Sequence, residues 1–435
     1  MRNSSLITII FIFIYLSWNL YMQYKLTSLE MMAAETDVRE ALNKFEQAEN
    51  RISQILEDEK KQLDYLWVEV SNMTGNFDKI SKVWMEPIPI LVFACNRPAA
   101  IRDHLEKLIR LRPSREMFPI TVSQDCDDKR VVEEVKKFGD QVEYIKHAPG
   151  SSVKIDIQPK HKRMKPYYFI ARHYKLALSY MFSQNPFSTV IITEDDLDIA
   201  PDFFSYFSNT RYLLETDSTL YCVSAWNDNG KLEHIDWNAN TTLYRSDIFP
   251  GLGWMITRKL WNELKSTWPM AFWDDWLREP AQRKGRQCIR PEISRTGMMV
   301  HGKNGASNGQ FFKSHLSKIE MNNRTVDFAE VNLDYLLSEN FKKKMEQDLA
   351  ESDVGNITEI TSEAWKPDIE NMKVKIIYSG QDDFVDMAIN LGIMKEFKAG
   401  APRTAYNGIV TCFYKKTRLF LVPENSGMLN NGSKV

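Results

Sequence analysis

Glu194, Asp195 and Asp196 stand in a row directly after the apolar run Thr189 to Thr193. A core strand that ends on adjacent carboxylates must find water, a cation or hydrogen-bond donors for them. A hard divalent cation such as Mn²⁺ or Mg²⁺ takes oxygen ligands, and where the protein supplies few, water and phosphate complete the shell. Phosphate in turn points to a nucleotide. The alternative is a solvated turn, in which Asp198 and Asp202 of "DIAPDFFSYF" cap the next helix.

A second acid pair, Asp274 and Asp275, lies in "MAFWDDWLREP" among Phe272, Trp273 and Trp276. An aromatic wall can stack on a sugar ring, and an ionised carboxylate within it can accept a proton. The same residues also suit an aromatic core patch with a capping Asp. Two carboxylate sites could serve a glycosidase. That class needs neither metal nor nucleotide pocket, and the acid triplet and a strand-end Arg and Asp speak against it.

These residues need a frame. "PIPILVFACNR" reads as an apolar strand ending at Cys95, Asn96 and Arg97, and "AAIRDHLEKLIRL" as a helix stopped by "RPS". "FPITVSQDC" is a strand ending at Asp125 and Cys126, followed by a helix, "KRVVEEVKKFG", and a third strand, "QVEYIKH". The helix "YYFIARHYKLALSYMFS" then precedes the strand that carries the acids. Alternating strands and helices predict an α/β fold with a mostly parallel sheet. Ligands bind beyond the carboxyl ends of such strands, where Arg97, Asp125 and the triplet fall. Cys95 and Cys126 end two of these strands, so neighbouring strands would allow a disulfide between them.

Further on come a Trp-rich stretch, the Gly-rich loop "HGKNGASNGQFF" and a charged helix, "NLDYLLSENFKKKMEQDL". A small mixed unit from about 354 has strands "KVKIIYS", "GIVTCFYKK" and "RLFLVPE". Near the N-terminus "LITIIFIFIYLSWNLYM" is long and apolar enough to predict a single membrane anchor. An amphipathic charged stretch after it predicts a helical stem. Sequons at Asn72, Asn240, Asn323, Asn356 and Asn431, and five cysteines without C-x-x-C spacing, favour a luminal head. With 56 basic and 58 acidic residues, no overall basic field is available for nucleic acid.

The segments "ILVFACNRP", "YYFIARHYKLAL", "EDDLDIAPDFFSYF", "CVSAWNDNG", "FPGLGWM" and "MAFWDDWLREPAQRKGRQCIRPEISRT" together resemble the N-acetylglucosaminyltransferase I family, from about Pro87 onward. The resemblance implies a GT-A fold and inverting transfer of GlcNAc from UDP-GlcNAc. The acceptor would be the 2-hydroxyl of the α-1,3-arm mannose of an oligomannose N-glycan. It implies Mn²⁺ on Asp196, donor contacts from Asp195 and Glu194, and nucleotide contacts from Arg97, Asp125 and His173. Asp274 would be the catalytic base, Trp273 would lie on the GlcNAc, and Ser307 would touch substrate from a loop in which Gly302, Gly305 and Gly309 permit closure. Disulfides Cys95–Cys126 and Cys222–Cys288 would leave Cys412 free. The implied organisation is a tail (1–5), a Golgi membrane anchor (6–24), a stem (25–84), a GT-A catalytic domain (85–302), a loop and linker (303–340) and a small C-terminal α+β domain (341–435). Transfer to protein O-mannose and a non-catalytic sugar-binding remnant are the alternatives.

Overall fold

The computed structural model describes residues 14–23, 51, 54, 86–184, 186–305, 309–367 and 372–429. The chain divides into two compact units, Met1–Ile80 and Ser81–Val435. In the first, residues 14–23, 51 and 54 are helical, and the remainder of the expected anchor and stem lies outside the described residues. Among the described residues no helix is long and apolar enough to cross a membrane.

The second unit opens with the predicted alternation: β1 (Ile90–Ala94), α1 (Pro98–Leu111), β2 (Ile120–Gln124), α2 (Lys129–Lys136), β3 (Val142–Lys146), α3 (Lys165–Gln184) and β4 (Thr189–Glu194). α1 starts on Pro98, whose fixed φ suits a first helical position. It buries Ile101, Leu105 and Leu108 on one stripe. After β4 come the short β5 (Leu197–Ile199), α4 (Phe203–Thr216), β6 (Leu220–Ser224), β7 (Leu243–Ser246), β8 (Trp254–Thr257), α5 (Arg258–Leu264), α6 (Trp273–Arg278), β9 (Gln287–Pro291) and β10 (Thr296–Met298).

The main sheet has eight strands in the order β3-β2-β1-β4-β8-β6-β9-β7. Only β8 and β7 run against the other six, so the sheet is mostly parallel. Successive β1 residues enter opposite layers. Ile90, Val92 and Ala94 pack with α1 and α4, while Leu91 and Phe93 pack with α3 and α5. Cover on both faces explains why these strands are continuously apolar.

Pairing β1 between β2 and β4 brings their carboxyl ends level, with Ala94 opposite Gln124 and Phe93 opposite Glu194. The same adjacency forms the Cys95–Cys126 disulfide, with Cα atoms 4.9 Å apart. Cys222 and Cys288, on the paired β6 and β9, form the second, and Cys412 is free and buried.

The charged helix α7 (Ser338–Ala350) leads to a four-stranded sheet with its own apolar cluster, made by β11 (Asp353–Val354), β12 (Met372–Tyr378), β15 (Val410–Tyr414) and β16 (Thr417–Pro423). Between β12 and β15 lie α8 (Gln381–Leu391) and a hairpin of β13 (Phe397–Lys398) and β14 (Ala401–Pro402).

Candidate active site

Strand alternation answers how three acids can follow one another. Side chains at consecutive positions leave β4 on opposite faces. Thr193 turns toward α1, where its hydroxyl meets His104 Nε2 at 2.9 Å. His104 Nδ1 reaches the Leu197 carbonyl at 2.5 Å, so this imidazole ties α1 to both sides of the triplet. Burial pushes it down to about 4, and it stands neutral. Glu194 turns the other way and accepts from the Tyr174 hydroxyl of α3 at 2.8 Å. Burial and the charge of Asp196 push Glu194 upward, against the pull of the Tyr174 hydroxyl and Arg97.

Asp195 and Asp196 share one cation. Arg97 Nη2 binds Asp195 Oδ1, and Arg97 Nη1 binds Asp196 Oδ2 at 2.6 Å. Burial works against the charge of Arg97, but the two carboxylates hold its guanidinium above the ordinary range. Asp195 is 1 % exposed, and burial pushes it up to about 7 against the pull of Arg97. Its Oδ2 is buried with no hydrogen-bond partner among the described residues. Such an atom is costly unless a ligand satisfies it.

Asp198 and Asp202 do not cap the next helix. Asp198 pairs with Lys107 at 2.5 Å. Asp202 occupies the N-cap position of α4 but makes no capping bond; its Oδ2 takes Arg295 at 3.1 Å and Asn322 at 2.9 Å. A buried cation outcompetes a backbone N–H for a carboxylate.

The Gly-rich loop begins beside the triplet because β10 pairs antiparallel with β5. Met299 N donates to the Asp196 carbonyl at 2.8 Å, and His301 Nε2 meets Asp103 at 2.9 Å. A Cβ on Gly302 would come 2.4 Å from Met298 Sδ and 3.2 Å from Asp196 Oδ2, so a larger residue there would have to displace the Met298 side chain. Gly309 has φ +76, with no room for a Cβ against the Lys303 carbonyl. Ser307 lies outside the described residues.

Asp125 and His173 meet beneath the β2 end. His173 Nδ1 stands 3.3 Å from Asp125 Oδ1, and its Nε2 bonds the Ser123 hydroxyl at 2.8 Å. Burial pushes Asp125 up to about 6 and His173 down to about 3. At neutral pH the two therefore meet as a carboxylate and a neutral imidazole.

An aromatic column links this end of the sheet to the second acid pair. Phe93 stacks on Tyr174 at 3.9 Å and Tyr174 on Trp273 at 4.2 Å, with Trp268 and Trp254 beyond. Trp273 is 7 % exposed, packed into this column rather than open as a platform for a sugar. Its ring, packed on Tyr174, anchors α6 in the column. Phe272 turns the chain at φ 53, and Asp274 then emerges with its side chain 43 % exposed. Arg278 Nη1 holds Asp274 at 2.8 Å and Asp275 at 3.1 Å.

The residues present fit a cation only in part. Adjacent carboxylates of Asp195 and Asp196 offer the hard oxygens Mn²⁺ or Mg²⁺ prefers, and Asp195 Oδ2 is unpaired. Among the described residues, the one group with metal-ligand spacing is Cys95, Asp125 and Cys126, whose sulfurs form the disulfide. A cation at the triplet would therefore draw further ligands from substrate and water.

A profile of the GNT-I family matches residues 1–433, almost the whole chain. The chain belongs to this family. The chain is 38 % identical over 387 residues to the alpha-1,3-mannosyl-glycoprotein 2-beta-N-acetylglucosaminyltransferase of Arabidopsis thaliana, covering 86 % of this chain and 83 % of that protein. Two solved structures overlap it loosely. They are mannosyltransferase PcManGT from Pyrobaculum calidifontis with GDP-Man and Mn²⁺ (15 % identity, TM-score 0.34, 59 % of this chain and 68 % of that one), and GalNAc-T7 with UDP, GalNAc and Mn²⁺ (12 %, 0.35, 60 % and 51 %).

Several residues of this family member's site had no sequence signal of their own. Tyr174 follows His173 in "ARHY", yet nothing local says that it faces Glu194. His104 and Arg278 read as ordinary helix residues. Outside that site, Lys398 contacts Asp275 at 3.0 Å from far along the chain, and only the fold reveals it.

Proposed function

We propose that this chain is a GT-A-type inverting glycosyltransferase. It would move GlcNAc from UDP-GlcNAc to the 2-hydroxyl of the α-1,3-arm mannose of an oligomannose N-glycan, forming a β-1,2 bond. Family membership and the named Arabidopsis relative support this substrate pair. The observation that carries it is a buried acid pair on Arg97 joined by an aromatic column to a half-exposed Asp274.

Asp125, buried and a carboxylate at neutral pH, beside the neutral His173, suits the N–H and hydroxyl donors of uracil and ribose better than a phosphate. The unpaired Asp195 Oδ2 suits a hydroxyl donor on the sugar nucleotide, and Glu194 a hydroxyl of the GlcNAc. Asp196 would hold a divalent cation, Mn²⁺ by preference, that neutralises the diphosphate as it leaves. Asp274 takes the proton from the mannose 2-hydroxyl while that oxygen bonds to the anomeric carbon. The anomeric carbon–oxygen bond to UDP breaks on the opposite face, which inverts the centre. Ser307 and the loop around Gly302 would cover the donor and keep water from it. The apolar segment 6–24 would anchor the enzyme in the Golgi membrane with its head in the lumen.

Incubation of the purified head (from about residue 85) with UDP-GlcNAc, Mn²⁺ and an oligomannose glycan tests this. One added HexNAc per glycan, with stoichiometric UDP, is expected, and excess chelator should abolish it. UDP release without glycan extension, or transfer only to O-mannosyl peptide, would overturn the acceptor assignment. Undiminished transfer in chelator would remove the cation from Asp196.

A further inference from the structure

Asp274 and Asp275 are adjacent acids with one local cation, since the same Arg278 nitrogen serves both. A second cation arrives from the C-terminal region. Lys398, on the β13–β14 hairpin, places Nζ 3.0 Å from Asp275 Oδ1 and 3.9 Å from Glu396 Oε1. Glu396 is held in turn by Arg403 Nη2 at 2.5 Å. Signs therefore alternate without a break from Asp274 through Arg278, Asp275, Lys398 and Glu396 to Arg403. The hairpin is shaped to close this line. Ala399 has φ 47 and Thr404 φ 65, backbone conformations that L residues adopt only under constraint.

The two arginines of the line are the buried members, at 7 % and 10 % side-chain exposure, and they act as fixed supports. Asp275, Lys398 and Glu396 remain 43 %, 30 % and 39 % exposed. Their free lone pairs and N–H groups form a wall of alternating acceptors and donors that continues from the proposed base. A neutral polyhydroxylated ligand suits such a wall. Each hydroxyl can donate to a carboxylate and accept from the ammonium, and Arg403, at the inner end of the line, is answered in turn by Asp228 at 3.4 Å. The charged nucleotide is provided for elsewhere, at Arg97 and the triplet.

We infer that Asp275, Lys398 and Glu396 form an acceptor subsite for hexose rings flanking the reacting mannose, with Lys398 its central hydroxyl-binding residue. The inference rests on the acceptor class proposed above and adds where the branches of that acceptor are held. The C-terminal hairpin thus becomes part of substrate selection.

The test uses Lys398→Met and Lys398→Arg on the folded head, with a branched oligomannose glycan and a simple mannoside that carries only the reacting sugar. Thermal unfolding and UDP-GlcNAc affinity are measured alongside. Loss of a charge-assisted hydrogen bond is expected to raise KM for the branched glycan about tenfold in Lys398→Met. KM for the simple mannoside, kcat and donor affinity should change little, and Lys398→Arg should recover part of the loss. An unchanged KM for the branched glycan, or an equal rise for both acceptors, overturns the subsite while leaving the proposed activity intact. A wild-type head that extends no mannoside at all overturns both.

Discussion

The two acid sites of this molecule are built on opposite terms. Asp195 and Asp196 are buried at a strand end and held by one guanidinium, with an imidazole and a phenol bracing the residues beside them. Asp274 and Asp275 stand half-exposed on a six-residue helix. Burying a charge fixes it but makes it dependent on its partners. Leaving it half in water keeps it open to an incoming ligand. On the proposed mechanism, position is thus the business of the first site and proton transfer that of the second.

The sharpest way to break that contrast is Asp274→Asn, which keeps shape and removes the proposed base. A fall in kcat of about 10²–10⁴-fold is expected, with donor affinity unchanged. A variant that lost donor affinity and little kcat would show the division of labour to be wrong. Arg97→Met should act in the opposite sense, on the fold first. It leaves the carboxylates of Asp195 and Asp196 without their cation, which costs about 3–5 kcal/mol for a buried pair, measured by urea unfolding. Adding Asp195→Asn should return part of the loss.

Tyr174→Phe sharpens the comparison at the column joining the two sites. It removes the one hydroxyl on Glu194 Oε1. The expected cost is about 1–3 kcal/mol in stability for an unsatisfied buried acceptor, with the ring stack on Trp273 retained. Per pH unit, the effect of titrating His104 is of similar size. His104 has a folded pKa of about 4, below the usual 6.5. The unfolded chain therefore binds the extra proton between those values. The stability that neutral His104 contributes is present above 6.5 and is lost as pH falls toward 4. Relative to His104→Asn, the wild type should lose about 1.4 kcal/mol per pH unit across that window. Parallel stability curves would mean that His104 is not held neutral.

Much of the frame was legible because it rests on local patterns. Apolar runs that end in Arg97, Asp125 and Glu194 could only be buried parallel strands, and all three ends fell at one edge. The C-terminal strands were equally plain. The cap assignment for Asp202 failed because the competing partner, Arg295, comes from a distant strand end. Composition did not say which tryptophan of the cluster is inside, and Trp273 is the one packed between Tyr174, Trp254 and Trp268. The anchor and stem were the most conspicuous features of the sequence, and most of them lies outside the described residues.

The sequence by itself determined the order of elements, the acids at a strand end and the chemistry that adjacent carboxylates can perform, because hydrophobic period and residue type are local properties. Only the tertiary structure decided which charge answers which. Arg97 lies about a hundred positions from Asp195, and Lys398 is farther still from Asp275. Ion pairs are made by proximity in space, and proximity is settled when the sheet sets its register and the C-terminal hairpin meets α6.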